Sequence, residues 1–175
     1  MSNLRLINET EVTTGISEFY VNNIFTDDFD IYKVVFNNIS TASSTASNLY
    51  HRFVDSSGNV VTSSKYTFQT LQIRDNGVSA QYRGDANTSV SRVLSDLSPE
   101  GHSSTNWIYN PTNTNSYTYY TGQSMSGISS LLRMGQQICV LEETSKITGF
   151  GFFVVSATTT FSTGVMRTYG LRVDA

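Results

Sequence analysis

The chain has 175 residues, 38% of them hydrophobic and 14% charged, with a formal net charge of -3. That length suits a single domain with a real core, and the hydrophobic fraction excludes a disordered chain. The charge, with a pI near 5.2, leaves no clustered Lys/Arg surface of the kind nucleic acid requires. No window carries the roughly 18 apolar residues of a membrane span, and the start, MSNLRLINETEV, lacks the apolar core of a secretion signal. The lone Cys139 excludes an internal disulfide, and apolar Ile138 and Val140 beside it predict a buried thiol. Ser and Thr supply roughly a quarter of the residues, a composition that suits strands and turns with an uncharged polar surface.

Taken in order, Leu4–Asn8 is a short strand candidate, and Thr10–Thr14 is rich in β-branched residues before Gly15. Ile16–Phe25 alternates with Phe19, Val21 and Phe25 on one face and stops at Thr26-Asp27-Asp28. Asp30–Ile39 sets Tyr32, Val34 and Phe36 against Ile31 and Val35, a strand with two apolar faces. Asn48–Val54 is the next strand, and Asp55-Ser-Ser-Gly58 turns it toward Asn59–Val61. Tyr66–Ile73 opposes Leu71 and Ile73 to Tyr66 and Phe68, and Asp75-Asn76-Gly77 turns it back through Ser79–Tyr82. Ser89–Leu97 fits a strand or a short helix. Trp107–Asn110 is a strand stopped by Pro111, Tyr117–Ser124 is strand-like, and Ser129–Met134 and Ile138–Glu142 are further candidates.

The chain closes on two long apolar runs, Ile147–Ser156 and Val165–Val173, which predict an antiparallel pair inside a sheet. Phe150, Phe152 and Val154 share one face of the first run, and Tyr169 and Leu171 share a face of the second; these five are the predicted structural core. No segment sustains a helical period, and turns recur at the spacing of sandwiches. The expected fold is all-β: a two-sheet antiparallel sandwich of jelly-roll type with about ten strands, in one domain over residues 1–175.

Residues able to carry chemistry are few. His51 lies in a predicted strand and His102 in a predicted loop, and Gly122-Gln-Ser-Met-Ser-Gly127 fails the nucleophile-elbow pattern. One cysteine and two separated histidines do not make a zinc set, and no phosphate-cradling glycine loop is present. TDDFD (residues 26–30) reads as a solvated turn, lacking the spacing and glycine of a calcium loop. The neighbouring carboxylates Asp27/Asp28 and Glu142/Glu143 would point to opposite faces of a strand instead of across a cleft. The expectation is therefore no enzyme, no catalytic residue, no metal and no cofactor. Asn8, Asn38 and Asn87 begin sequons that so Ser/Thr-rich a chain produces by composition.

The aromatic group Trp107, Tyr109, Tyr117, Tyr119 and Tyr120 fits ordinary sandwich core and cross-strand pairing, or, with its large rigid area and polar tips, a sugar or protein contact surface. Alternation puts Tyr117 and Tyr119 on one face and Tyr120 on the other, so part of the set stands outside the core or at an interface. With Leu131, Leu132 and Met134 it forms the predicted interface.

Leu6-Ile7-Asn-Glu-Thr, Asp28-Phe-Asp30-Ile31-Tyr32-Lys33, Trp107-Ile-Tyr109-Asn110-Pro111 and the closing Phe161-Ser-Thr-Gly164-Val-Met-Arg-Thr-Tyr169-Gly170-Leu171, in this order, resemble small β-sandwich virion structural proteins of tailed bacteriophages. The resemblance implies a capsid decoration (cement) protein on the particle exterior, or a tail- or fibre-associated protein that binds a host receptor or surface glycan. It implies a shared fold in which Gly164 starts the last strand, Tyr169 packs and Gly170 admits another backbone. The partners it implies are the major capsid protein or another virion protein, at the outer surface of capsid or tail, with no nucleic acid or membrane. Apolar area beyond what one small sandwich covers predicts self-association, and a homotrimer matches the three-fold axes of shells and fibres.

Overall fold

In a computed structural model, residues 3–42, 47–89, 96–128, 131–155 and 159–172 are described, without the side chains of residues 96, 128 and 131. They form twelve strands: β1 (Leu4–Glu11), β2 (Glu18–Val21), β3 (Ile31–Thr41), β4 (Ser47–Asp55), β5 (Tyr66–Arg74), β6 (Ser79–Asn87), β7 (Asp96–Leu97), β8 (His102–Tyr109), β9 (Thr118–Ile128), β10 (Leu131–Leu141), β11 (Ile147–Val154) and β12 (Phe161–Leu171). An eight-stranded antiparallel sheet runs in the order β1-β12-β3-β8-β9-β10-β5-β6, and a smaller one runs β2-β11-β4-β7.

The order of pairing identifies the jelly roll. Strands β1 with β12, β2 with β11, β3 with β8, and β4 with β7 pair as nested partners, the ladder of one long hairpin. That hairpin is rolled so that successive pairs fall alternately in the two sheets. The ladder is kept at the first corner, where Val12 N–H donates to Gly164 O, Phe161 N–H to Ile16 O, and Val154 N–H to Ser17 O. Two hairpins, β5–β6 and β9–β10, are inserted into this plan and widen the larger sheet beyond β8. Asp75, Asn76 and Gly77 form the first hairpin's turn, with Gly77 at φ 79°.

The rolled topology overturns the expected pairing of the last two strands. Strand β11 lies centrally between β2 and β4 in one sheet, and β12 lies between β1 and β3 in the other. The core sits between the sheets: Phe36 against Phe152 at 4.9 Å, Phe53 against Phe150 at 5.2 Å, and Phe152 against Phe161 at 4.9 Å between ring centroids. Phe150, Phe152 and Val154 are buried there. Tyr169 and Leu171 are not; they are half-buried on the outward face. Two register shifts between Phe161 and Val165 set the alternation of β12, so Met166, Thr168 and Gly170 point inward. Gly170 admits the Phe29 ring, 2.6 Å from where a Cβ would stand, instead of another backbone. Gly164 likewise lies within β12 and does not begin it.

Other boundaries differ for local reasons. Leu4–Asn8 and the start of Thr10–Thr14 merge in β1, which continues past a register shift between Leu6 and Asn8 and ends at Glu11. The candidates Ser129–Met134 and Ile138–Glu142 meet in one strand, β10 (Leu131–Leu141), because Gly135, Gln136 and Gln137 keep pairing with both neighbours; residues 129 and 130 lie outside the described residues. His102 opens β8 and is buried, where a loop is expected. Ser89–Leu97 falls largely outside the described residues.

Candidate functional site

The register of the larger sheet lets its outward face be read as rows crossing all eight strands. From β6 to β1, one row is Arg83, Gln69, Ile138, Thr121, Trp107, Lys33, Tyr169, Leu6. On one side of it Val140, Tyr119, Tyr109, Ile31 and Leu171 follow in register. On the other, Leu71, Gln136, Gln123, Thr105 and Val35 make a second row, and Ile73, Met134 and Met125 begin a third. A sheet face turned to solvent ordinarily carries polar residues. This one is largely apolar and aromatic, and one end gathers several strongly exposed side chains: Met125 62%, Leu132 66%, Met134 55% and Ile73 49%.

The predicted interface residues divide. Trp107, Tyr109 and Tyr119 lie together on this face, with Leu132 and Met134 on the neighbouring strand β10, and Tyr117 is exposed just before β9. Tyr120 is the exception: alternation turns it inward and it is buried. The side chain of Leu131 lies outside the described residues. Leu71, Ile73, Met125 and Ile138, which the sequence reading does not assign to an interface, join the face. Their signal is period-two alternation opposed to Tyr66, Phe68 and Cys139, which becomes legible once the inward set is known.

The inward face of the same strands is unexpectedly polar. The Tyr120 hydroxyl donates to Asn106 Oδ1 at 2.8 Å, accepts from Gln137 Nε2, and lies 2.9 Å from His51 Nδ1 of the opposite sheet. A hydroxyl has one proton to give, so His51 must donate from Nδ1, which leaves Nε2 as the acceptor. Asn106 Nδ2 completes its set on Val34 O and Ser104 Oγ. Several atoms of this layer have no partner: His51 Nε2, Gln137 Oε1, Thr70 Oγ1, Ser124 Oγ and both ring nitrogens of His102. Desolvation, with His102 nearby, holds His51 well below the usual imidazole range, and desolvation lowers His102 to about 4. Both rings are neutral at pH 7 and enclosed. Cys139 is buried too, and burial pushes its thiol well up.

Three of the four neighbouring carboxylates, Asp27, Asp28 and Glu143, have polar partners. Asp27 meets Lys146 Nζ at 2.7 Å, a contact that with a hydrogen bond from Thr112 lowers its carboxyl below the ordinary range. Asp28 Oδ2 accepts from Thr26 Oγ1 at 3.0 Å, and Glu143 accepts from Ser63 and Ser145. Among the described residues no group of three His, Cys, Asp or Glu could hold a metal ion. No helix among them is long and apolar enough to cross a membrane.

Comparison with known proteins finds no matching family model, no matching curated protein and no matching solved structure. The outward face of the larger sheet is the feature from which function can be argued.

Proposed function

We propose that this chain is a non-enzymatic virion structural protein of a tailed bacteriophage, a capsid decoration (cement) protein seated on the particle exterior. The observation that carries the reading is the apolar strip Ile73, Met125, Leu132 and Met134, which lies outside a core already filled from the other face. Contiguous exposed apolar area of this kind is costly in water and marks a contact surface. The sequence resemblance to phage β-sandwich proteins supplies the class of partner, the major capsid protein or another virion protein. The jelly roll suits such a role without specifying it.

The same strip supports self-association, and a homotrimer fits the local three-fold points of a shell. Quantifying the chain in purified particles tests the placement. Hundreds of copies per particle are expected for shell decoration. A few to a few tens would place it on the tail or a fibre, and complete absence would overturn the virion reading.

A further inference from the structure

We propose that the trough beside Trp107 on the outward face is a binding site for a neutral, unbranched hexopyranose chain. This goes beyond the virion reading and does not rest on it.

Two hollows adjoin here. One of about 310 Å³ is bordered by Thr105, Trp107, Thr121, Gln123 and Gln136; it meets one of about 830 Å³ reaching to Tyr119, Gln69 and Arg83, and Ile138 borders both. The trough therefore runs across strands β8, β9, β10, β5 and β6. Each strand advances it by about 4.8 Å, close to the length of one sugar ring, so successive strands meet successive units of a linear chain.

The side chains supply the two kinds of contact a pyranose needs. Trp107 on β8 and Tyr119 on β9 are diagonal neighbours across the strand pair. Their ring faces suit the C–H face of a sugar, as aromatic platforms with polar tips do. Gln123 and Gln136 face each other across β9 and β10, exposed. Each amide offers two donors and a carbonyl acceptor to equatorial hydroxyls, and Thr105 and Thr121 add hydroxyls that both donate and accept.

Charge decides against other occupants. Among the described residues, the charge that stands nearest the trough's middle is Lys33, whose Nζ lies 5.8 Å from the Trp107 ring centroid. At the far end Arg83 and Asp85 carry opposite signs, and Asp85 accepts from Thr67 Oγ1 at 2.8 Å. A polyanion would call for several cations along its path. A protein partner is better served by the apolar strip at the other end of β9 and β10. An uncharged polyhydroxylated chain matches amides and hydroxyls beside aromatic platforms.

Trp107 is the chain's single tryptophan, so its emission reports directly on the trough. We would titrate the full chain with cellohexaose, maltohexaose and chitohexaose, with heparin as the polyanion control. The expected result is a saturable emission change with at least one neutral hexasaccharide, weakened about tenfold or more in a Gln123→Ala/Gln136→Ala double variant. Leu132→Lys, outside the trough, should bind like the wild type. Calorimetry should show binding lost in Trp107→Ala, with the circular dichroism spectrum unchanged. The proposal is overturned by no saturable change with any of the three sugars, by tighter binding of heparin, or by affinity retained in the double variant. A change in emission that follows protein concentration alone would assign the face to a second copy of the chain, and would also overturn it.

Discussion

His51 Nδ1 and the Tyr120 hydroxyl meet at 2.9 Å across the interior, joining the smaller sheet to the larger through a hydrogen bond beside the Phe150 ring. Tyr120 also holds Asn106 and Gln137, so its one oxygen satisfies three buried groups. Tyr120→Phe keeps the ring and strands all three. Leaving buried donors and acceptors unpaired is costlier than the net worth of the bonds themselves. The expected loss is about 2 to 4 kcal/mol in urea unfolding; a loss below about 1 kcal/mol would mean that the partners re-pair without it.

The two enclosed histidines make stability depend on pH with a definite sign. Their folded values lie below the ordinary value of 6.5, with His102 at about 4. Between those limits the unfolded chain binds more protons than the folded one, so stability is full above about pH 6.5 and falls as pH drops toward 4. His102 alone accounts for a loss on the order of 3 kcal/mol across that window. His102→Leu should flatten the dependence. It should also leave stability at pH 7.5 unchanged or higher, because neither ring nitrogen has a partner to lose. An unchanged acid slope in this variant would remove His102 from the account.

Phe152 and Tyr169 separate core from face. Phe152→Ala empties a site walled by Phe19, Phe36 and Phe161 and should cost about 3 to 5 kcal/mol. Tyr169→Ala, on the half-buried outward side, should cost less than half as much, because solvent replaces part of what the ring touches. Equal losses in chemical denaturation would contradict the register of β12.

Most of the fold is legible in the sequence because period-two alternation and turn residues are local. Tyr66–Ile73, Asp75-Asn76-Gly77 and Ser79–Tyr82 read directly as the hairpin they form. What is not legible is which sheet a strand joins. Phe150–Val154 and Val165–Leu171 look like hairpin partners, yet the rolled ladder sends them to different sheets, a choice made by pairing with β2 and β1 far away in the chain. The same limit hides Tyr169: its face depends on the shifts at Ser162–Gly164, which no local pattern announces. The candidate face is half legible. Trp107, Tyr109 and Tyr119 stand out by type, whereas Leu71, Ile73, Met125 and Ile138 resemble core residues until Tyr66, Phe68, Tyr120 and Cys139 are seen to fill it.

The strip formed by Ile73, Met125, Leu132 and Met134 leads to the prediction about assembly. These four side chains come from three adjacent strands, β5, β10 and β9, and Met134 stands in register with both Ile73 and Met125. Methionine packs adaptably against irregular partners, and Asp75 fixes the strip's end by accepting from Leu132 N–H at 2.9 Å. Under the self-association reading, light scattering of the isolated chain at high concentration should give three times the 19.4 kDa chain mass. Met134→Lys should return it to one, because a charge buried in an apolar contact is costly. The same change should leave folding stability within about 0.5 kcal/mol of wild type, since Met134 takes no part in the interior. A wild-type chain that stays monomeric would defeat the trimer. The strip would then face a different virion protein, and the Met134→Lys chain should show reduced copy number on particles while folding normally. If the wild type is monomeric and the variant still occupies particles fully, the strip is not a contact surface at all.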